Sequence, residues 1–371
     1  MKVLHIINAL SSGGAENLLN NMLPLMKEKN IEVELLLLTT KDSMYYDSLK
    51  DKIKITISPV ENIRSFKQIT VIKNYIKNGN FDVVHAHLFP VLYWTSLAVK
   101  RIKKTERPKL IYTEHSTNNR RRKWYFRFLE KYIYKTYDRV IAISEGVNNE
   151  LSKWLGKNHA KRIITIHNGV PLEKFKNAIP YKKNDLISGL NEADKMILMV
   201  GRFSEQKDQK TLIKAISLLP LDYHLVLVGE GPNLESCKSL SMELGIKDRV
   251  HFLGRRNDVG RITKTADLCV ISSHWEGFGL VALETMAAGK VIFGSNVIGL
   301  KEVIRKSNQL FEKGNAFQLK EMLFRFFNSS DMRDYQLGHS LEEKIRKFSI
   351  EFMCDNYISL YVSLKESKEV R

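Results

Sequence analysis

The sequence predicts two α/β domains in tandem. The chain of 371 residues is longer than a single core usually supports. Short apolar runs alternate with amphipathic stretches, the pattern of βαβ units and parallel sheets with right-handed crossovers. That alternation dissolves into polar, Pro-containing sequence at residues 171–194, the best linker candidate, and then restarts.

In the first half, strands are expected at Val3–Ile7, Val33–Leu38, Ile53–Ile57, Val83–His85, Leu110–Thr113 and Val140–Ile143. Helical patterns lie between them at Ala15–Lys29, Phe66–Lys77, Val91–Lys104 and Lys123–Tyr137. In the second half, strands are expected at Met196–Val200, Leu225–Val228, Val250–Leu253, Leu268–Ser272 and Val291–Gly294. Helices are expected at about Lys207–Leu219, Pro232–Leu244 and Leu280–Ala288, with Pro232 in a first turn where its missing donor costs nothing. The last fifty residues look helical throughout. Two such domains leave a cleft at the carboxyl ends of their strands, the usual ligand position in doubly wound sheets.

Hydrophobic content of 43% and charged content of 27% fit a globular protein with a sizeable core. Cys237, Cys269 and Cys354 are far apart in sequence, which argues for a reducing compartment and against a disulfide framework or structural zinc. The start, MKVLHIINALSSGG, reads as a first strand rather than a signal peptide. No run approaches the roughly 18 apolar residues of a membrane span. A cytoplasmic location is the expectation. The net charge of +18 is unevenly divided: residues 1–180 carry a net +15 and residues 181–371 a net +3. Such a field favours an anionic partner, a phospholipid surface, a lipid pyrophosphate or nucleic acid. The plainer reading is a set of well-solvated Lys-rich helix faces.

The sharpest motif is Glu276-Gly277-Phe278-Gly279-Leu280-Val281-Ala282-Leu283-Glu284, placed just after an expected strand. Its glycines bring backbone N–H groups to a helix N-terminus, which suits phosphate and sugar oxygens. Glu276 can accept hydrogen bonds from sugar hydroxyls, and Glu284, about one turn into the helix, from the two hydroxyls of a ribose. A capped tight loop with a surface Glu is the purely structural alternative.

This E-x7-E motif, followed by TMAAG, resembles the retaining glycosyltransferase family 4 (glycosyl transferases group 1), and the resemblance runs along nearly the whole chain. It includes SSGGAEN at Ser11–Asn17, TEH at Thr113–His115, NGV at Asn168–Val170, GRFSEQKDQKTLIKA at Gly201–Ala215, VGEGP at Val228–Pro232 and FLG at Phe252–Gly254. The resemblance implies the GT-B fold: two Rossmann-like, doubly wound parallel-sheet domains facing a central cleft, with C-terminal helices crossing back to the first domain. The boundaries that follow are residues 1–175 for an acceptor-binding domain, 176–350 for a nucleotide-sugar domain and 351–371 for the returning helix.

The resemblance also implies site residues. Arg202 and Lys207 match the pair that grips the donor diphosphate, where two fixed cations stabilise the charge on the departing nucleoside diphosphate. Backbone N–H groups near Leu280 and Val281 meet the phosphates, Glu284 the ribose, and Glu276, Phe278 and Gly279 the sugar. Gly254 and Arg255 lie near the base. Gly13 and Gly14, with Ser12 as N-cap, open a helix whose loop approaches the diphosphate and acceptor. His115 matches the histidine near the transferred sugar, where a hydrogen bond to the sugar is favoured over proton abstraction. The family transfers with retention of anomeric configuration and without an obvious enzymatic nucleophile.

No Asp-x-Asp pair is present, so no metal and no cofactor is expected, Arg202, Lys207 and helix N-termini taking the place of an ion. His85 and His87 alternate on one strand without a third ligand visible in sequence, and are read as lining the cleft or as structural. The stretch Asn119–Phe128, including Arg120, Arg121, Arg122, Lys123 and Trp124, interleaves cations with aromatics and fits an anionic membrane surface or lipid-linked acceptor. The alternative is a helix whose Trp and Phe pack inward. Nucleic acid leaves the donor motifs unexplained and is not expected as a partner.

The reading is a peripheral enzyme on the inner face of the cell membrane. It transfers a hexose or N-acetylhexosamine from a nucleotide sugar, by family frequency a UDP-sugar, to a lipid-linked saccharide in capsule, exopolysaccharide or O-antigen synthesis. A soluble transferase making a disaccharide or glucan and a nucleotide-sugar epimerase are alternatives on the same fold. A dehydrogenase is disfavoured by the absence of G-x-G-x-x-G, and a basic binding module by the presence of Arg202, Lys207, Glu276 and Glu284 together.

Overall fold

The computed structural model describes residues 1–11, 13–116, 123–304, 306–328 and 345–369. It divides into two compact units, Met1–Gly169 with Ile350–Arg371, and Val170–Ser349.

The first unit is built on seven strands: Lys2–Ile7 (β1), Glu32–Leu37 (β2), Lys54–Ile57 (β3), Val83–His87 (β4), Lys109–Glu114 (β5), Arg139–Ala142 (β6) and Ile163–Thr165 (β7). All pair in parallel, in the order β3-β2-β1-β4-β5-β6-β7. Parallel strands are covered on both faces, which is why β1, β2, β4 and β5 are almost wholly buried runs rather than alternating ones. One cover is the helix Gly14–Glu28, whose Leu18, Leu19, Met22, Leu23 and Met26 share a core cluster with Val3, Leu35 and Val83. The same cluster contains Met353, Cys354, Tyr357, Tyr361 and Leu364 of the helix Ile350–Glu369.

The second unit holds Lys195–Val200 (β8), Tyr223–Val228 (β9), Val250–Phe252 (β10), Leu268–Ile271 (β11), Val291–Ser295 (β12) and Leu310–Phe311 (β13). They too are parallel, in the order β10-β9-β8-β11-β12-β13. Both sheets reverse their winding beside a central strand, after β1 in one and β8 in the other, so both are Rossmann-like.

The expected strands all form, with shifted ends. Among the described elements that escape the sequence pattern are β7 and β13, two- or three-residue edge strands too short to show a period, and the helices Glu145–Leu155, Val259–Thr265 and Ile298–Val303. The helix expected from Pro232 begins at Leu234 with Asn233 as its cap, so Pro232 precedes the helix instead of occupying its first turn. The stretch 171–194 is not an unstructured linker. It carries the short helices Leu172–Lys176 and Lys183–Leu186, and Lys183 is buried with its Nζ on Asp267 Oδ2 at 2.7 Å. The backbone joins the second unit already at Val170, whose N–H donates to the Phe348 carbonyl at 2.9 Å. Towards the C-terminus the described residues hold the helices Ala316–Asn328 and Ile350–Glu369. Residues 347–349 between them form a turn and a β-bridge to Val170, so the described part is not helical throughout; residues 329–344 lie outside the described set.

His5, His85 and His87 are all fully buried in the first unit, and burial holds each imidazole neutral, His5 down to about 3 and the other two well below the usual value of 6.5. Unfolding therefore takes up protons once the pH falls below about 6.5, and the stability these groups permit is complete above that value and lost as pH falls. Each contributes a slope on the order of 1.4 kcal/mol per pH unit. The thermal midpoint is accordingly expected to drop steeply between about pH 6.5 and 4.5. A flat midpoint by differential scanning calorimetry over that range would contradict the burial of the cluster.

Candidate functional site

In the second unit the polypeptide leaves β8 at Gly201 and runs through Arg202 to Lys207 before the helix Gln209–Ser217. Two glycines of the next strand-loop junction make room for this turn. A Cβ on Gly229 (φ +141°) would collide with the Gly201 carbonyl, and one on Gly231 (φ +154°) with the Phe203 carbonyl. The Phe203 N–H donates to the Glu230 carbonyl at 2.9 Å and its ring is buried, so the turn carrying Arg202 is anchored from both ends. Arg202 is exposed, and its guanidinium is held by no ion pair among the described residues. Its carbonyl accepts from Gln209 Nε2 at 3.0 Å.

Asp208 adopts a left-handed conformation and caps the helix Gln209–Ser217, accepting from the Thr211 N–H. The loop after β11 is knitted to this turn. Ser272 Oγ donates to the Asp208 carbonyl at 2.8 Å, the His274 N–H to the Gln206 carbonyl at 2.8 Å, and Gln206 Nε2 to the Trp275 carbonyl at 3.0 Å. These bonds bring Lys207 onto Glu276: the ammonium forms an ion pair with Oε1, which also accepts from Ser273 Oγ at 2.7 Å.

The helix Leu280–Ala287 then starts from Gly279, at φ +84°. The N–H groups of Leu280 and Val281 precede the first intrahelical bond, and so face an anion-favouring helix end. The Phe278 side chain is buried against Phe348, so this position belongs to the core of the second unit. Gly299 sits so close beneath the loop that a Cβ there would strike the Glu276 carbonyl.

Glu284 lies one turn along this helix and is half-buried. Desolvation pushes its carboxyl up to about 7, against the opposing pull of Lys174 and Lys207. Lys174 was invisible as a site residue in the sequence because it lies in the stretch that looked like linker. Gly254 (φ +62°) gives its carbonyl to the Gly229 N–H at 2.8 Å, and Arg255 pairs with Glu230 at 3.3 Å. The structure thus gathers Arg202, Lys207, Glu276, Gly279, Leu280, Val281, Glu284, Gly254 and Arg255 around the carboxyl ends of β8 to β11. That arrangement offers cations, helix N–H groups and two carboxylates to a ligand bearing phosphates and hydroxyls.

In the first unit, Gly13 is the N-cap residue of the helix Gly14–Glu28 and has no side chain to cap it; Ser12, expected in that role, lies outside the described residues. A Cβ on Gly13 would overlap the Glu16 carboxylate, which accepts from Ser11 Oγ at 2.9 Å. His115 follows β5 and is half-buried, and desolvation lowers it to about 4. Its Nε2 is 3.3 Å from His87 Nδ1, and His87 Nε2 is 3.0 Å from His5 Nδ1.

His85 and His87 are fully buried and do not line an open surface, so the cleft-lining reading does not hold for them. Folding supplies the third histidine that sequence lacked, His5 from β1, its nitrogens close to those of the other two. The His85 ring stacks on His87 at 4.2 Å and 25°, whereas His5 lies end to end with His87, the rings 12° from parallel and their facing nitrogens 3.0 Å apart. Lone pairs in near-parallel planes do not converge on one point, and both nitrogens of His85 are already engaged, with Tyr361 Oη at 2.6 Å and Thr113 Oγ1 at 2.7 Å. This is a poor cation site.

Lys123 and Trp124 open a short exposed segment ahead of the helix Arg127–Tyr134, whereas Arg120, Arg121 and Arg122 lie outside the described residues.

Two family descriptions match the chain, "Glycosyltransferase Family 4" over residues 12–174 and "Glycosyl transferases group 1" over residues 181–347. The chain belongs to the family 4 glycosyltransferases. Among its relatives, the N-acetyl-alpha-D-glucosaminyl L-malate synthase of Bacillus anthracis is 28% identical, covering 77% of this chain and 74% of its own. The UDP-Gal:alpha-D-GlcNAc-diphosphoundecaprenol alpha-1,3-galactosyltransferase of Escherichia coli is also 28% identical, covering 73% of each. Among solved structures, Anabaena HepE in complex with UDP and glucose superposes with a TM-score of 0.85 at 20% identity, covering 98% of this chain and all of that one. This glycosyltransferase therefore carries the two Rossmann-like sheets of the GT-B class.

The electrostatics of Glu284 yield a direct test. Its carboxyl is expected to titrate near pH 7, and replacing Lys174 or Lys207 by Ala, by removing a nearby cation, should raise the midpoint further. Carboxyl NMR of selectively labelled glutamate reads this, and a Glu284 midpoint near 4.5 in the wild type would show that the group is solvated.

Proposed function

We propose that this glycosyltransferase retains anomeric configuration and transfers a hexose or N-acetylhexosamine from a UDP-sugar to a lipid-linked saccharide in surface-polysaccharide assembly. The observation that carries the donor half is the convergence of Lys207 and Glu276 beside the N-terminus of the helix Leu280–Ala287, with Arg202 unpaired among the described residues. Arg202, Lys207 and the Leu280 and Val281 N–H groups form a cationic cradle for a diphosphate whose charge grows as the sugar leaves. Glu284 accepts from the ribose hydroxyls, and Glu276 with the Phe278–Gly279 backbone orients the sugar. No metal is needed in this scheme, because the cations of the protein perform the neutralisation. The UDP of the HepE structure and the UDP-Gal named for the galactosyltransferase support UDP as the carrier.

The lipid-linked acceptor is supported by that relative's diphosphoundecaprenol substrate and by the surface of the first unit. Trp124 is 81% and Phe128 82% exposed, beside exposed Tyr125, Leu129 and Tyr132. Lys123, Arg127 and Lys131 are interleaved with them. The inward packing of these aromatics that a plain amphipathic helix predicts is not what forms. Aromatic rings at headgroup depth with cations beside them suit an anionic membrane surface.

Two outcomes test this reading. UDP at about 100 times its dissociation constant should stabilise the fold by roughly 2.7 kcal/mol, indifferent to EDTA, while Lys207→Ala should lower turnover on the order of 100-fold or more. Stabilisation by GDP or ADP instead, or a strict requirement for a divalent ion, would replace the UDP and metal-free parts of the proposal. Sedimentation with phosphatidylglycerol vesicles should be strong for the wild type and weak for Trp124→Ser/Phe128→Ser. Equal recovery of both proteins in the supernatant would favour a soluble acceptor, as the malate of the Bacillus anthracis relative suggests.

A further inference from the structure

His5, His87 and His115 form a hydrogen-bonded row through the first unit, from β1 across β4 to the residue after β5. His87 is its centre, with one nitrogen toward each neighbour. A neutral imidazole has a single N–H, so His87 donates on one side and accepts on the other, and the row has one polarity from end to end. The two polarities differ in what they strand at the far end. His5 Nε2 is buried and has no hydrogen-bond partner among the described residues. If the row ran from His115 inward, that nitrogen would carry a buried N–H with no acceptor, a defect that folded proteins rarely tolerate. If it runs outward, His5 Nε2 is a bare lone pair, His5 Nδ1–H donates to His87 Nε2, and His87 Nδ1–H donates to His115 Nε2. The neighbouring His85 imposes nothing on this choice, since its partners are the Tyr361 and Thr113 hydroxyls, which act equally as donors and acceptors.

We propose that His87 is a positioning residue that fixes the tautomer of His115, accepting at Nε2 and carrying its proton on Nδ1. The consequence rests on the reading above that His115 acts at the transferred sugar. Presented this way, Nδ1 is a hydrogen-bond donor, oriented in advance toward an oxygen of the sugar, and it is not a base. His5 completes the arrangement by holding His87 in the matching tautomer. The assignment separates His85 and His87, which sequence alone treats as equivalents: His87 sets the proton of His115, and His85 ties β4 to the C-terminal helix.

The test is long-range proton–nitrogen correlation NMR of the full chain labelled with nitrogen-15 histidine, with His115→Asn used to assign the signal. The wild type should show one His115 tautomer, protonated at Nδ1. Protonation at Nε2, or an even mixture, overturns the proposal. His87→Leu keeps bulk but removes the donor and should give a mixed His115 tautomer. His87→Asn, whose amide nitrogen lies near the place of Nδ1, should restore the single one. Release of UDP from UDP-glucose, UDP-galactose or UDP-N-acetylglucosamine should fall in kcat by up to about 100-fold in His87→Leu, with KM little changed, and recover in His87→Asn. Equal loss in both variants shows a packing role and overturns the proposal. Should His115→Ala keep full kcat, the reading of His115 itself fails, and the wild-type spectrum still decides the tautomer. If His87→Leu does not fold, the same spectrum stands as the deciding measurement.

Discussion

Parallel strands have to be covered on both faces, and the first sheet obtains part of its cover from the far end of the chain. The helix Ile350–Glu369 lays Met353, Cys354, Tyr357, Tyr361 and Leu364 into the same core as the helix Gly14–Glu28. Burial of side chains such as Met353 and Leu364 contributes about 1.5–3 kcal/mol each. The two tyrosines bring hydroxyls into that core, where Tyr361 meets His85 and Tyr357 lies 3.4 Å from Thr113 Oγ1. A row of imidazoles is tolerated inside the sheet because these hydroxyls and the rings themselves satisfy nearly every nitrogen. The histidines, the returning helix and the placement of His115 are therefore one construction.

The second unit solves a different problem. Its loops carry charges that a stable core does not want, and Lys207 with Glu276 is mostly shielded from water. Such a pair is weak as a stabiliser, because desolvating both groups costs about as much as their attraction returns. Its presence is better explained by what it holds ready: an ammonium and a carboxylate at the head of a helix, each fixed by bonds from two loops. Glu284 shows the same trade in its raised carboxyl, kept between a protonated and an ionised form by burial on one side and two lysines on the other.

The fold was legible because parallel strands are short and continuously apolar and their helices amphipathic, so most long elements announced themselves by period, the helix Glu145–Leu155 being an exception. The edge strands Ile163–Thr165 and Leu310–Phe311 did not, since a two- or three-residue run has no period. Sequence by itself determined the two Rossmann-like sheets and the donor motif from Glu276 to Glu284. Close glycines and E-x7-E spacing are local requirements, imposed on residues near one another along the chain. Only tertiary structure decided that Lys174 acts on Glu284, that Phe278 is core, that Trp124 and Phe128 face outward, and that His5 joins His87 and His115. These depend on contacts between residues up to about a hundred positions apart, and on which face of an element another element covers, neither of which a period records.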